Sequence, residues 1–516
     1  MNCNLNKSAG ISGRLKIIIT FLIILSLALA PAGCNSNTDA EDEFLKKYET
    51  LKINNERVSI KFYFPGEQPK AWDEVRAEIE KELADTVNVS LDFKWLDFQS
   101  YYRKIKILDA SEEPFDAFCI GRPQEQYPDF TKLAREGRLK DISQLFPDNA
   151  PALMRKYSKE ELDYASVDGK LYTLPSLYPA AYCPVIWAAD SVLKKYGIEK
   201  ITTYDEYEEF LGIVKNNEPD LIPGTIRTTD TLKLFAAASG YAIADETQKL
   251  VYKWDDSEFK LLAWENTPEF KEYAYTLAGW FKNGYLKPIP DPSKLASVIQ
   301  YNELYYPFEE TLELSLRNIF DKTVKTQPMR QFYLYPGNPV QRENPMGFDR
   351  SFAFPALSSN TERAIQFLDW VQYNQENYYL VMFGREGIDY MLKNNYPTLP
   401  EGIDTNNAYM NWDGSQAFTN IEYLFPYLSE KRKELYESKS QYPPHGAFYP
   451  DFRSIEAAAR IRNNLYNEFN HLIYLGKLTE TSQVDNFIQK LEKEGSANLV
   501  EIAQKQLDEV AERREK

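Results

Sequence analysis

The sequence predicts an α/β fold divided into more than one domain. Three observations lead there. The chain has 516 residues, more than a single hydrophobic core usually organises. Hydrophobic residues make up 43% of it, which is ample material for packed cores. From Val58 onward, apolar residues alternate, then recur at helical spacing, then alternate again. That order of strand, helix and strand belongs to a parallel sheet.

The first element precedes any folded body. Lys7, Arg14 and Lys16 lead into an apolar run from Ile17 to Ala30. A run of about 14 residues is short for a bilayer span and right for a secretory leader. Ala30-Pro31-Ala32-Gly33-Cys34 follows, then the polar stretch Asn35 to Asp42. Small residues before a Cys resemble the lipobox of bacterial lipoproteins, although Pro31 stands where that pattern usually has Leu. The resemblance implies cleavage before Cys34 and a diacylglycerol on its sulfur. The alternative is a leader cut elsewhere. Residues 1–33 are thus expected to be a signal peptide and 34–56 a lipidated polar tether.

The folded part begins near Val58. Val58, Ile60, Phe62 and Phe64 alternate with Ser59, Lys61 and Tyr63, a strand that Pro65-Gly66 ends. Trp72, Val75, Ile79 and Leu83 fall at helical spacing, with Asp73 and Glu74 in the first turn. Val89, Leu91, Phe93 and Trp95 make a second strand, Ser100 to Leu108 a helix, and Phe115 to Ile120 a third strand. Asp168-Gly169-Lys170 reads as a hairpin-type turn, and Leu171 to Leu174 and Cys183 to Ala188 as strands. A helix from Ser191 to Tyr196 stops at Gly197, and another runs from Tyr204 to about Lys215. From there to about Leu286 the pattern reads as mostly helical. Phe332 to Tyr335 and Phe352 to Pro355 return to strand character. Ser359-Asn360-Thr361-Glu362 reads as a capping box opening a helix, and two more helices lie around Val484 to Leu491 and from about Leu499.

Composition excludes several functions. The formal charge is −17, and removing the three positive charges of the leader would take it to −20. Such a chain repels nucleic acid and anionic lipid head groups. After the leader and Cys34, only Cys119 and Cys183 remain, both in apolar surroundings, which reads as two buried free thiols. His445 and His471 are the only histidines, too few to centre a metal cluster or a Ser-His-Asp triad convincingly. Neither G-x-x-x-x-G-K-[ST] nor G-x-G-x-x-G is present.

Five segments carry a resemblance. Val167-Asp168-Gly169-Lys170-Leu171-Tyr172-Thr173-Leu174-Pro175, followed by Asp190 to Gly197, resembles the "DGKxYxxP" and "xDxxxKYG" segments of extracellular solute-binding proteins. Ser358 to Trp370 resembles their "SKNPERAMxFLD" segment. Phe383 to Tyr390 resembles "YGxEGxHY", with Asp389 in the usual His position. Phe487 to Asp508 resembles the tail of the carbohydrate-uptake lipoproteins in that family. Order and spacing together cover nearly all of the chain after its leader. The resemblance implies a two-lobed periplasmic-binding-protein-like fold (type II), each lobe a mainly parallel sheet flanked by helices, with extra C-terminal helices. The first lobe would hold 57–176 plus about 331–390, and the second 177–330 plus about 391–516. Crossings would fall near Ser176 to Cys183 and near Phe332 to Tyr335. The ligand would be an oligosaccharide in the cleft, and the partners would be the permease subunits of an ABC importer. The protein would be a monomer without cofactor, held to the extracytoplasmic face of the cell membrane by its lipid alone.

A sugar site needs flat aromatic faces and planar polar groups. Tyr63, Trp95 and Arg122 sit at strand ends of the first lobe. Tyr178 and Tyr182 sit at the first crossing, and Phe348, Asp349 and Arg350 just before the Phe352 strand. Trp412 and Asp413 lie in a polar loop. Each has a plainer alternative: Trp95 as core, Arg122 paired with Glu125, Asp349-Arg350 as a structural ion pair. Tyr63 lies on the polar face of its strand, which predicts exposure. Two other functions fit the same composition, an anchored glycosidase using two carboxylates and a sensor presenting its ligand to a receptor kinase.

Overall fold

The computed structural model describes residues 46–47, 49–50, 56–120, 130–177, 181–226, 231–288, 290–303, 314–315, 328–342, 351–393, 396–403, 409, 415–424, 440–443 and 445–514. The first lobe opens with β1 (Val58–Pro65), α1 (Trp72–Leu83), β2 (Val89–Leu96), α2 (Tyr101–Ala110) and β3 (Ala117–Ile120). β1 pairs in parallel with β2 and with β3. α1 buries Trp72, Val75, Ile79 and Leu83 as one stripe, and Trp72 stacks on Phe93 of β2 with ring centroids 4.8 Å apart. α3 (Lys159–Tyr164) starts at a capping box in which Ser158 and Glu161 satisfy each other's backbone N–H. β4 (Thr173–Pro175) is the last element before the chain leaves this lobe.

The second lobe follows. Its elements are β5 (Ala181–Ala189), α4 (Asp190–Tyr196), α5 (Tyr204–Asn217), β6 (Thr225–Ile226), α6 (Thr231–Ala238), β7 (Tyr241–Asp245), β8 (Leu250–Lys253), β9 (Leu262–Ala263), α7 (Pro268–Lys282), β10 (Ser297–Glu303), β11 (Leu314–Ser315), β12 (Pro328–Tyr333) and β13 (Val340–Arg342). The chain then returns to the first lobe with β14 (Ser351–Ala353), α8 (Thr361–Tyr373), α9 (Gln375–Phe383) and the hairpin β15 (Met391–Lys393) and β16 (Tyr396–Thr398). It ends in the second lobe with β17 (Ser440–Gln441), α10 (Glu456–Tyr474), α11 (Thr481–Lys493) and α12 (Ser496–Arg514).

The first sheet has the order β2-β1-β3-β14-β4. The late strand β14 runs antiparallel between β3 and β4, so the four early strands share one direction. The second sheet has the order β11-β12-β5-β10-β6 and is mixed, not mainly parallel as expected: β5 runs antiparallel to both neighbours, and β10 pairs with β6 in parallel. Pro184 sits inside this central strand, where a proline lacks a donor. Its position explains the tolerance: β12 pairs with Val185 to Ala189, and β13 pairs with Ala181 and Tyr182. Pro184 falls where one partner gives way to the other, and its carbonyl still accepts from Leu334 N at 2.9 Å.

Each lobe has its own core. Phe62, Phe93, Phe352 and Phe367 fill the first, with Phe62 within 5.8 Å of each of the other three rings. Trp187, Tyr207, Phe270 and Trp280 anchor the second. A smaller cluster joins β7 and β8 to Phe448 and α12. Cys119 and Cys183 are buried free thiols, as the sequence predicts, and burial pushes the Cys183 thiol well above its ordinary pKa.

Five further expectations differ from the structure. Phe332 and Tyr333 belong to β12 in the second core, so the return crossing lies between Arg342 and Ser351 instead of at 332–335. Tyr409 and Phe418 pack in the first core, which extends that lobe beyond 390. The stretch 215–286 is not mostly helical: β7, β8 and β9 form an antiparallel sheet within it. Asn360 caps α8 without a side-chain bond; the Ser358 hydroxyl takes over, accepting from Asn360 N at 3.2 Å and donating to Asp116 at 2.8 Å. Tyr63 is buried, because a parallel sheet is covered on both faces.

Candidate functional site

The chain passes between the lobes three times. The first leaves β4 at Pro175 and enters β5 at Ala181; the second leaves β13 at Arg342 and enters β14 at Ser351. The third runs from the first lobe at Leu424 to β17 at Ser440. The described residues that flank them are linked to one another. Leu177 N donates to Thr419 O at 2.8 Å, Ala181 pairs with Arg342, and Ser440 pairs with Val340. Linked passes of this kind let two lobes rotate as bodies while the connection holds. The carboxyl ends of β1, β2, β3 and β4 face this junction, the end at which open α/β sheets bind ligands.

Aromatic side chains collect there. Tyr182, the second residue of β5, stacks on Tyr301 of β10, with centroids 5.9 Å apart and planes 21° from parallel. Antiparallel pairing of β5 with β10 sets this contact, since Tyr182 stands opposite Glu303 and Pro184 opposite Tyr301. Tyr301 is buried and Tyr182 half-buried, so the inner ring fixes the outer one. The Lys233 ammonium lies 6.0 Å from the Tyr301 ring centre and pairs with Glu246 at 2.9 Å. On the other side of β5, the Arg342 guanidinium lies 5.4 Å over the Tyr442 ring, and Tyr442 packs 5.2 Å from Tyr164 of α3. Burial holds the Tyr442 phenol well above its ordinary pKa; nearby Glu161 adds to this and Arg342 opposes it. Tyr157 donates to the Pro175 carbonyl at the very end of β4. The result is a set of flat rings and fixed polar groups spanning both lobes, suited to stacking and hydrogen bonding.

Of the residues singled out from sequence, Tyr182 lies in this arrangement. Tyr63 does not: it packs edge-on against Phe115 at 5.3 Å and donates to Glu113 at 3.2 Å. Burial, reinforced by Glu113, pushes its phenol up to about 12. Trp95 stacks on Phe64 at 5.7 Å and meets Trp72 edge-on at 5.2 Å, which is the core alternative. Arg122, Tyr178, Phe348, Asp349, Arg350, Trp412, Asp413 and Cys34 lie outside the described residues. The sequence reading missed Tyr301, Arg342 and Tyr442. For Tyr301 a signal existed: Ser297-Val298-Ile299-Gln300-Tyr301 is rich in β-branched and aromatic residues, which marks a strand.

No family model matches the chain. It is 22% identical over 504 residues to a carbohydrate ABC transporter substrate-binding protein of Streptococcus pneumoniae serotype 4, covering 94% of this chain and 96% of that one. It superimposes on the N-glycan transport solute-binding protein of Streptococcus pneumoniae with a TM-score of 0.71 at 19% identity, covering 89% of this chain and all of the other. The same protein in complex with Man5GlcNAc gives 0.63 at 20% identity, over 89% and 99%. The chain has the fold of an ABC-importer substrate-binding protein. The two-lobed periplasmic-binding-protein-like architecture expected from the five motif segments is therefore the observed one.

Proposed function

We propose that this chain is the substrate-binding component of an ABC importer, capturing an oligosaccharide between its lobes and delivering it to membrane permeases. The observation that carries this reading is the three-pass junction with Tyr182 stacked on Tyr301, in a fold shared over nearly the whole chain with a glycan-transport binding protein. A binder of this kind holds its ligand by stacking and hydrogen bonds and needs no reacting group. The test is calorimetric titration with a panel of mannose-containing glycans, fructans and uronate oligomers, with chromatography of the mixture afterwards. Binding without product supports the reading; appearance of a shortened glycan replaces it with a glycosidase.

Two outcomes follow from it. A ligand that binds only the folded protein adds stability of about 2.7 kcal/mol at a hundredfold excess over Kd, so the cognate glycan should raise the melting temperature while non-ligands leave it unchanged. Lobe closure should also reduce the radius of gyration in small-angle scattering; an unchanged profile at saturation would argue for a rigid cleft. A separate proposal concerns the anchor. We propose that Cys34 carries the lipid and holds the protein on the extracytoplasmic face of the membrane, from the leader, the small residues and the polar tether. Two acyl chains anchor stably where one is marginal. Cys34→Ala should move the protein from the membrane to the soluble fraction. A wild-type protein that is already soluble and unacylated by mass spectrometry would sink the idea.

A further inference from the structure

Phe448 and Tyr449 are neighbours in the chain and belong to different lobes. Phe448 is buried in the small cluster with Tyr252 of β8 and with Leu499, Ala503 and Leu507 of α12. Tyr449 packs on the first core, its ring edge-on to Phe130 at 5.2 Å. Its hydroxyl donates to the carbonyl of Tyr164, the last residue of α3, at 2.6 Å. Its own carbonyl accepts from Arg135 Nη2 at 2.9 Å, and Arg135 Nε donates to Asp168 at 3.2 Å. Two residues later the chain is back on the second lobe. Asp451 N donates to Gln506 Oε1 of α12 at 2.7 Å, and Gln506 Nε2 donates to Asp451 O at 2.9 Å. Residues 448–451 are thus a strap stitched to both lobes. Beside it the lobes stand apart around a groove of about 530 Å³, with Asp163 and Asp168 on the first-lobe side and Gln506 and Glu509 on the second.

The strap grips the first lobe behind the junction. The ligand end is the carboxyl end of the strands, and β4 reaches the junction at Pro175. Tyr164 and Ala165 lie toward the other end of β4, where Ala165 O accepts from Tyr172 N at 3.2 Å. Asp168 lies in the hairpin turn that precedes the same strand. The junction therefore stands between the ligand end and the strap. Two bodies turning about such a junction cannot narrow the gap on one side without widening it on the other. Closure over a ligand pulls the stitches at Tyr449 and Asp451 in opposite directions. A hydrogen bond does not survive a stretch of about 1 Å, and the groove beside these bonds is open space.

We propose that the strap is an autoinhibitory latch: the hold of Tyr449 on Tyr164 and Arg135 keeps the lobes parted at the ligand end, and closure over an oligosaccharide has to break it. This rests on the importer reading above, which supplies the ligand and the lobe movement. The apparent affinity of such a binder is its intrinsic affinity scaled down by the fraction that is closed, so loosening the latch makes binding tighter. The test uses Tyr449→Phe, which keeps the ring on Phe130 and removes the bond to Tyr164, and the same change combined with Arg135→Met. The probe is the glycan giving the largest melting shift in the panel, titrated calorimetrically. Each lost bond should raise its affinity by about twofold to tenfold, the net contribution of one hydrogen bond. The free double variant should also scatter as a more compact particle than the free wild type. A contact that merely holds structure lowers affinity or leaves it alone, so either result in both variants overturns the proposal. If the double variant does not fold, Tyr449→Phe decides alone. A wild-type chain that binds no glycan of the panel overturns the importer reading instead. The latch is then judged by scattering, and equal radii of gyration for the free variants and the free wild type overturn it.

Discussion

Glu265→Ala is expected to destabilise the second lobe by about 3–5 kcal/mol, the cost of leaving a buried charge without its partner. Glu265 and Arg462 have side chains 0% and 3% exposed. The guanidinium grips the carboxylate with both terminal nitrogens, Nη2 to Oε2 at 2.7 Å. Nε and Nη2 also donate to Gln248 O at 3.1 and 3.0 Å, and the Tyr466 hydroxyl donates to Glu265 at 2.7 Å. Burial works against the Arg462 charge, but the hydrogen bonds and charge of Glu265 more than offset it, so its pKa rises. The network ties α10 to the turn before α7 and to the β7–β8 connection, and so fastens the C-terminal helices to the lobe. Arg462→Ala should have a similar effect, and melting of that lobe should fall on the order of 10 °C for either change. The double replacement Glu265→Leu with Arg462→Met should recover much of the loss, because apolar groups of similar volume often substitute for a buried pair without penalty. Single variants that melt with the wild type would show that water reaches the pair and that it contributes little.

That network shows why part of the fold was legible and part was not. Strands and helices announce themselves over short windows: Val58 to Phe64 by alternation, Trp72 to Leu83 by a stripe at helical spacing. Both elements appear where expected. Alternation does not say what covers the second face, so Tyr63, on the apparently polar side, was expected in solvent and is buried under Phe115. The segment 215–286 reads as helix because Ala-rich stretches such as Ala236 to Ala238 continue into Tyr241 to Ala244. The strands β7, β8 and β9 are short and pair with one another. Arg462 and Glu265 are 197 residues apart, and nothing local in the sequence pairs them. The junction behaves likewise. Tyr182 was legible as a ring near a crossing, bracketed by Pro175 and Pro184. Its partner Tyr301 is defined by the register of β10 on β5, which is a property of the sheet.

That register yields the prediction with the greatest bearing on function. Tyr182→Ala is expected to weaken oligosaccharide binding by about 1–3 kcal/mol, the scale of removing one large apolar contact, or roughly fivefold to hundredfold in Kd. The free protein should melt close to the wild type, because Tyr182 is only half-buried and its removal leaves no enclosed cavity. Tyr301→Ala should behave differently. Tyr301 is 6% exposed, and truncating a buried aromatic ring costs about 3–5 kcal/mol, so the free protein should melt lower. Its affinity should fall as well, because Tyr182 loses the ring that fixes its orientation. Tyr301→Phe keeps the stack and should restore both. Calorimetric titration and melting curves on the three variants separate these roles. If Tyr182→Ala and Tyr301→Ala both bind the cognate glycan at wild-type strength, the rings are packing of the junction only. The ligand contacts must then be sought at Tyr178, Phe348 and Trp412, the remaining aromatic candidates from the sequence.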